Sequence, residues 1–295
     1  MGFTLVLGGG GVAGIAWMAG LLAGLADTGQ DLTDADDIIG TSAGATIGAQ
    51  VASGLTPADL YARQVDPALQ SREITPSFDM EKYVADLGVW LTGVTSAEEG
   101  RRAMGRLALA AFTEPVPEVD RPAAAPTVPE ADRSAVVSTV SEADRLAVIS
   151  SRLPFHTWPT RSLRLVAVDA ETGSPVVFTR SSGVDLVVAV AASSAVPGVW
   201  PPVTINGRRY IDGGVRTGHN ADYALSASRV VILAPLGVED QSGQTDVIAD
   251  LRAGGADVTV IVPDEASLVA FGTNPLDPAV KVPTAEAGRA QGRRI

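Results

Sequence analysis

The residues best suited to chemistry form a G-x-S-x-G motif, Gly40-Thr41-Ser42-Ala43-Gly44. A short apolar segment at residues 37–39 precedes the motif, and a small-residue helical segment at 43–53 follows it. A serine at a sharp strand-to-helix turn presents its hydroxyl at the edge of a sheet, and the helix N-terminus behind it favours developing negative charge. The pattern predicts Ser42 as a nucleophile, although a small-residue turn with an N-capping serine would also fit it.

A run of glycines forms a second motif, again between an apolar strand (residues 3–7) and a helical pattern (12–26). Consecutive glycines allow several backbone N–H groups to converge on one point, which suits an oxyanion or a phosphate. We therefore expect Gly9, Gly10 and Gly11 to form an anion-binding loop.

The same run also fits a dinucleotide-binding fingerprint, because Gly9, Gly11 and Gly14 match G-x-G-x-x-G. Such a site needs an acidic residue at the end of the next strand, about 20 residues further on. Asp31 and Asp34 lie at that distance, but the segment around them is too polar for a buried strand. The sequence therefore disfavours a nicotinamide-dependent oxidoreductase.

A serine nucleophile needs a base, and the chain offers three candidates. Asp212 ends a short predicted strand and is followed by Gly213 and Gly214, a pattern that most often marks a turn. His219 could complete a Ser…Asp…His order, whereas His156 fits a packed loop better. In the alternative, Asp212 takes the serine proton itself, which requires a desolvated carboxylate because a free aspartate has a pKa near 3.9.

Composition limits the remaining function classes. The 295 residues include 22 basic and 34 acidic side chains, a formal charge of −12, and no cysteine. The absence of cysteine excludes disulfides, thiolate metal sites and a thiol nucleophile. The net charge disfavours nucleic acid as a partner, since that binding depends on cationic side chains. The chain has only two histidines, which argues against an all-histidine metal site. The chemistry outlined above requires neither a metal nor a cofactor.

The elements that would position these motifs follow an alternating pattern. Strand, tight turn and helix occur twice in the first 55 residues, and further strands are expected at 163–169, 176–179, 209–212, 230–234 and 258–262. This alternation predicts a mostly parallel α/β sheet. Residues 57–111 look mostly helical. We expect one domain over residues 1–295, interrupted by a Pro/Ala-rich linker or flap at about 113–140. A 12-residue repeat runs through this segment, and its third copy is expected to start a helix that Ser141 caps.

The N-terminal segment has no charge from residue 3 to 26, which imitates a signal peptide or a membrane span. Six glycines interrupt it, and the first basic residue is Arg63, so it fits strand, turn and helix better. We therefore expect a cytoplasmic protein.

The three glycine motifs in this order, together with residues 193–203 (SSAVPGVWPPV), resemble the patatin-like phospholipases. The resemblance covers most of the chain and is weakest from about 90 to 144. It implies a three-layer α/β/α fold and a Ser–Asp dyad without histidine, with Ser42 as nucleophile and Asp212 as base. Gly9, Gly10 and Gly11 then map to the oxyanion hole, and Gly14, Gly40, Gly44, Gly213 and Gly214 support the motifs. The implied reaction is hydrolysis of lipid acyl esters through an acyl-enzyme, with transient contact to a membrane surface and no cofactor.

The chain departs from the resemblance at two places. Ala13 stands where the family usually has Arg or Lys, which puts a preference for phospholipids in doubt more than hydrolysis itself. Residues 215–220 lack the Asn-x-Pro common there, and His219 lies nearby instead. A non-catalytic lipid-binding or partner-binding relative is the alternative. Acyl-chain length, head group and oligomeric state do not follow from the sequence.

Overall fold

A computed structural model describes residues 2–76, 80–112, 140–238 and 247–295, without the side chains of 80–82 and 84. The Pro/Ala-rich segment expected to be a linker or flap lies outside the described residues apart from Val140.

The core of the fold is a mixed β-sheet. Its strands are β1 (Phe3–Leu7), β2 (Asp37–Thr41), β3 (Ser162–Asp169), β4 (Pro175–Phe178), β5 (Val203–Ile205), β6 (Arg208–Asp212), β7 (Arg229–Leu233) and β8 (Asp257–Ile261). Within the described residues they form one sheet in the order β5-β6-β3-β2-β1-β7-β8, with β4 also paired to β3. The five strands from β3 to β8 in this order run parallel, whereas β4 and β6 are antiparallel to β3 and β5 is antiparallel to β6.

Helices cover both faces of the sheet. They are α1 (Gly11–Asp27), α2 (Ala43–Ala52), α3 (Pro57–Val65), α4 (Met80–Trp90), α5 (Ala97–Ala111), α6 (Glu142–Arg152), α7 (Leu186–Ser193), α8 (Val247–Ala253), α9 (Glu265–Phe271) and α10 (Lys281–Gly292). Ser141 caps α6, as the sequence predicts, by accepting a hydrogen bond from the Asp144 N–H at 3.0 Å. The helical prediction for 57–111 is confirmed as three separate helices, α3 to α5.

Side chains alternate between the two faces along each strand. Leu5, Leu7 and Ile38 pack with α1 and α2 on one face, while Val6 and Ile39 pack toward α8 on the other. This period of two is the geometry of a strand that is buried on both sides. The predicted three-layer, mostly parallel α/β/α fold is therefore confirmed.

Helix α1 explains the charge-free N-terminal segment. Its residues from Val12 to Leu25 are all buried, because the helix lies between the sheet and helices α3 and α10. A helix that is apolar on every side is expected in a buried layer of this kind. No helix in the described part of the chain has the length and apolar character needed to cross a bilayer.

Candidate active site

Ser42 occupies a strained turn between β2 and α2. Its φ of 54° and ψ of −112° lie where non-glycine residues are uncommon, and such a backbone typically costs about 1–3 kcal/mol. The two flanking elements impose this conformation, since β2 ends at Thr41 and α2 begins at Ala43. The turn that the G-x-S-x-G motif predicts is therefore present.

The glycines of this motif allow a close approach of backbone segments. The Gly44 N–H donates to the Gly8 carbonyl at 3.0 Å, and a Cβ on Gly44 would overlap the carbonyl of Leu7. A Cβ on Gly40 would lie 2.6 Å from the Gly44 carbonyl oxygen. The two strand-to-helix turns of the first 55 residues are thus packed directly against each other.

Asp212 meets Ser42 across strand β3. In the sheet register, Thr41 of β2 is opposite Val166 and Asp212 of β6 is opposite Ala167, the next residue of β3. The Ser42 hydroxyl is close enough to the Asp212 carboxylate to lower the pKa of that carboxyl. Two residues that lie 170 positions apart in sequence therefore form one pair at the same level of the sheet.

The Asp212 carboxylate is buried and accepts a hydrogen bond from the backbone. The residue is only 5% exposed, and its Oδ1 accepts the Gly214 N–H at 2.7 Å. Burial raises the pKa of Asp212 to about 6, against the opposing effects of the Ser42 hydroxyl, the Gly214 N–H and the positive charge of Arg145. A carboxylate with this pKa is a stronger base than a free aspartate, yet it is still ionised at neutral pH.

The last residue of α7, Ser193, and the two residues after it support both members of this pair. The Ser193 hydroxyl accepts the Ser42 N–H at 3.1 Å and donates to the Val166 carbonyl at 2.6 Å. The Ser194 hydroxyl lies 3.2 Å from the Ser42 carbonyl, and the Asp212 N–H donates to the Ala195 carbonyl at 2.9 Å. Residues 193–195 therefore fix the backbone of Ser42 and Asp212 at once.

The glycine run lies beside Ser42, at the start of α1. A Cβ on Gly9 would be 3.6 Å from the Ser42 Cβ. Gly10 and Gly11 open α1, where the first N–H groups have no acceptor within the helix. The Gly9 N–H is already bonded to the Gly218 carbonyl at 2.8 Å, so it can hold an oxyanion only if that contact opens.

Comparison with known families identifies this arrangement. The sequence profile of the Patatin-like phospholipase family matches residues 5–225, a span that includes all three glycine motifs. The chain belongs to the patatin-like phospholipase family. No curated protein sequence matches it significantly.

Two solved structures resemble the patatin-like chain at low identity. VipD from Legionella pneumophila has 12% identity and a TM-score of 0.44, and the match covers 99% of this chain and 67% of that one. The type III effector protein ExoU has 14% identity and a TM-score of 0.36, with coverage of 99% and 52%. The chain thus spans about half the length of ExoU.

The positions where this patatin-like chain departs from the expected motifs have clear structural settings. Ala13 is fully buried, and its N–H donates to the Pro275 carbonyl at 2.9 Å, so an arginine side chain would have to displace core residues. Asn220 is also fully buried, and its Nδ2 lies 3.1 Å from both the Thr41 hydroxyl and the Gly213 carbonyl. Asn220 therefore ties the turn after Asp212 to the end of β2.

The histidines are placed differently from one another. His156 is exposed rather than packed, and its Nε2 lies 3.2 Å from the Ser150 hydroxyl. His219 is half-buried, and its Nδ1 accepts the Ala221 N–H at 3.2 Å. Burial raises the pKa of Asp212, and the groups that oppose this effect are Ser42, Gly214 and Arg145.

The residues of the dinucleotide hypothesis do not form the required site. Asp31 and Asp34 are exposed in the loop between α1 and β2, and β2 ends in Thr41 rather than in an acidic residue. A ribose-binding carboxylate at the strand end is therefore missing among these candidates.

Sequence reasoning missed two side chains near Asp212. The Tyr83 hydroxyl donates to the Pro197 carbonyl at 3.1 Å, and burial together with the charge of Asp212 raises the pKa of Tyr83. Arg145 lies on α6, 67 residues before Asp212 in sequence, and its charge reaches the carboxylate. No local motif marks either residue, because only the folded chain brings helices α4 and α6 to the end of β6.

Proposed function

We propose that this chain hydrolyses lipid acyl esters, with Ser42 as the nucleophile and Asp212 as the only general base. The observation that carries the proposal is the placement of the Ser42 hydroxyl, at the strained turn after β2, beside a buried carboxylate whose pKa is raised to about 6 by burial. Membership of the patatin-like phospholipase family supports the lipid acyl ester as the substrate class.

The proposed reaction has two symmetrical halves. The Ser42 oxygen attacks the ester carbonyl while its proton passes to the Asp212 carboxylate. The tetrahedral intermediate collapses, Asp212 returns the proton to the leaving alcohol, and the acyl group stays on Ser42. Water then gives a proton to Asp212 and attacks the acyl-enzyme, and the released Ser42 oxygen recovers the proton as the fatty acid departs.

Backbone amides of the glycine run would hold the oxyanion. The Gly10 and Gly11 N–H groups would be the first donors, since the Gly9 N–H is bonded to Gly218. The N-terminus of α2 adds a favourable dipole directly behind Ser42. One such donor typically contributes about 3 kcal/mol to the barrier reduction, which an imperfect base needs as a complement.

The test combines turnover of p-nitrophenyl butyrate with labelling by a fluorophosphonate, for wild type, Ser42→Ala, Asp212→Asn and His219→Ala. Ser181→Ala, at an exposed serine, is the matched control. We expect Ser42→Ala to lose labelling and at least about 10³-fold in kcat, as nucleophile removal does in serine hydrolases, and Asp212→Asn to lose a similar factor. His219→Ala and Ser181→Ala should retain both.

Each other outcome has a defined meaning. Collapse of activity in His219→Ala would replace the dyad by a triad. Turnover that survives Ser42→Ala would refute the nucleophile assignment. A wild type with neither turnover nor labelling would favour a non-catalytic lipid-binding relative.

A further inference from the structure

Arg145 is a buried cation with unused hydrogen-bonding capacity. The residue, on the first turns of α6, is 4% exposed, and its Nε and Nη1 have no hydrogen-bond partner among the described residues. These two nitrogens carry three of the five N–H donors of the guanidinium, and leaving them unpaired in the interior is costly. Folded proteins normally avoid this cost, so a role in binding is the first explanation to test.

The guanidinium lies close to the proposed catalytic pair. It stacks on the ring of Trp200 at 4.2 Å from the ring centroid, and Trp200 packs in one apolar cluster with Leu276. Leu276 in turn contacts the glycine run, since a Cβ on Gly11 would lie 2.6 Å from its Cδ2. The charge of Arg145 also acts on Asp212. Arg145 therefore borders the same site from the side of α6.

The buried charges around Arg145 do not balance. Glu73 forms ion pairs with Arg152 at 2.6 Å and with Lys281 at 2.9 Å, and all three side chains are at most 7% exposed. Together with Arg145 and Asp212, the cluster holds three cations and two anions. The half-buried Arg63 lines the same cavity as Glu73 and adds to the positive excess.

Arg145 keeps its charge in this setting. Burial and the nearby Arg152 lower its pKa to about 9, while Glu73 and Asp212 act in the opposite direction. The guanidinium is thus protonated at neutral pH. The stacking on Trp200 compensates part of the desolvation but satisfies no N–H donor. When Asp212 accepts the Ser42 proton, Arg145 also loses one of its two compensating carboxylates.

We propose that Arg145 forms an anion subsite of the acyl-ester site and binds a singly charged oxyanion group of the substrate, either a phosphodiester or a carboxylate. The inference rests on the proposed function, because it adds a specificity-determining residue to that site. Guanidinium groups recognise both kinds of oxyanion through short, charge-assisted hydrogen bonds. A chain with a net charge of −12 would thereby select negatively charged esters through one local cation.

Two pairs of substrates test the subsite and distinguish the position of the charge. Dihexanoylglycerophosphomethanol and neutral dihexanoylglycerol, both below their micelle concentrations, differ by one phosphodiester on the alcohol side. Mono-p-nitrophenyl glutarate and its methyl ester differ by one carboxylate on the acyl side. All measurements are made at pH 8, where Asp212, with a pKa of about 6, is ionised in the wild type.

The variants are Arg145→Met, which removes the charge, and Arg145→Lys, which keeps it, with Arg180→Met at an exposed arginine as the matched control. We expect Arg145→Met to lower kcat/KM about tenfold to a hundredfold more for the charged member of one pair than for its neutral partner, the range typical of hydrogen bonds to charged groups. Arg145→Lys should retain part of the preference, and Arg180→Met all of it. An equal loss for charged and neutral substrates in both pairs would overturn the subsite.

A binding measurement keeps the test independent of turnover and of the stability of Arg145→Met. Titration of the Ser42→Ala protein should show tighter binding of dihexanoylglycerophosphomethanol or of glutarate monomethyl ester than of its neutral counterpart. Equal affinity for the charged and the neutral ligands would refute the anion subsite even if Arg145→Met does not fold. Failure of the wild type to hydrolyse the neutral esters would instead count against the proposed function, and the binding result would then stand alone.

Discussion

Replacement of Asp212 by asparagine should stabilise the fold while it removes activity. Asparagine resembles the neutral form of the carboxyl, so the gain equals the cost of keeping Asp212 ionised in the folded state. The pKa of Asp212 is raised from 3.8 to about 6, a difference of about 2.2. At 1.36 kcal/mol for each pKa unit, the ionised carboxylate reduces the free energy of unfolding by about 3 kcal/mol above pH 6.

The sign of this effect determines its pH dependence. A carboxyl whose pKa is higher in the folded state than in the unfolded state costs stability only where the unfolded chain is ionised. The cost is therefore complete above pH 6, decreases as the pH falls through 6, and vanishes below about pH 3.8. The stabilisation in Asp212→Asn should be about 3 kcal/mol at pH 8 and about half of that at pH 5.

Urea unfolding of wild type and Asp212→Asn at pH 8 and pH 5 measures this difference, at low protein concentration because pH 5 is close to the isoelectric point of about 4.6. Asp34→Asn, which changes an exposed carboxylate, is the control for the amide substitution and should be nearly neutral. An Asp212→Asn protein that is no more stable than wild type at pH 8 would refute the burial cost. A gain of equal size at both pH values would show that some effect other than ionisation produces it.

Two further outcomes concern the reaction itself. The kcat/KM for a neutral ester should fall to half near pH 6 as the pH decreases, because Asp212 must be ionised to accept a proton. If this decrease persists in His219→Ala, the histidine is not its source. A decrease near pH 4 instead would contradict the raised pKa of Asp212. Ser193→Ala should lower kcat about tenfold with little change in KM, because the substitution leaves the Ser42 N–H without its hydrogen-bond acceptor. An unchanged rate of fluorophosphonate labelling in this variant would refute the positioning role of Ser193.

The sequence was sufficient to predict the central sheet and the helices next to it. The buried strands β1 and β7 are mostly apolar runs, which are followed by Gly8 and Ala234. Strands that are buried on both faces of a sheet are mostly apolar, so their composition marks them in the sequence. The helical pattern of α1 was equally clear, because a helix without charges needs apolar neighbours on every side. The antiparallel placement of β6 against β3 was not predicted, since pairing depends on residues far apart in the chain.

The site was predictable only where a turn leaves a local signature. The backbone of Ser42 needs two small neighbours at fixed positions, so Gly40 and Gly44 mark it in the sequence. The role of Ser193, which bonds to the Ser42 N–H across 151 residues, has no such signature. The hydrogen bond from Gly9 to Gly218 likewise depends on the fold, and it is the reason why Gly10 and Gly11 come first among the proposed oxyanion donors.

Net charge and local charge lead to opposite expectations about anionic substrates. A formal charge of −12 disfavours negatively charged partners at long range, where screening by salt also weakens the effect. Within the interior, Arg145 is held among ionised groups at low dielectric, so its effect on a bound anion exceeds that of many exposed carboxylates. Raising the ionic strength should therefore speed the encounter with an anionic ester while it leaves the preference due to Arg145 nearly intact. A preference that disappears with salt in the same way as the encounter rate would place the selecting charge at the surface instead.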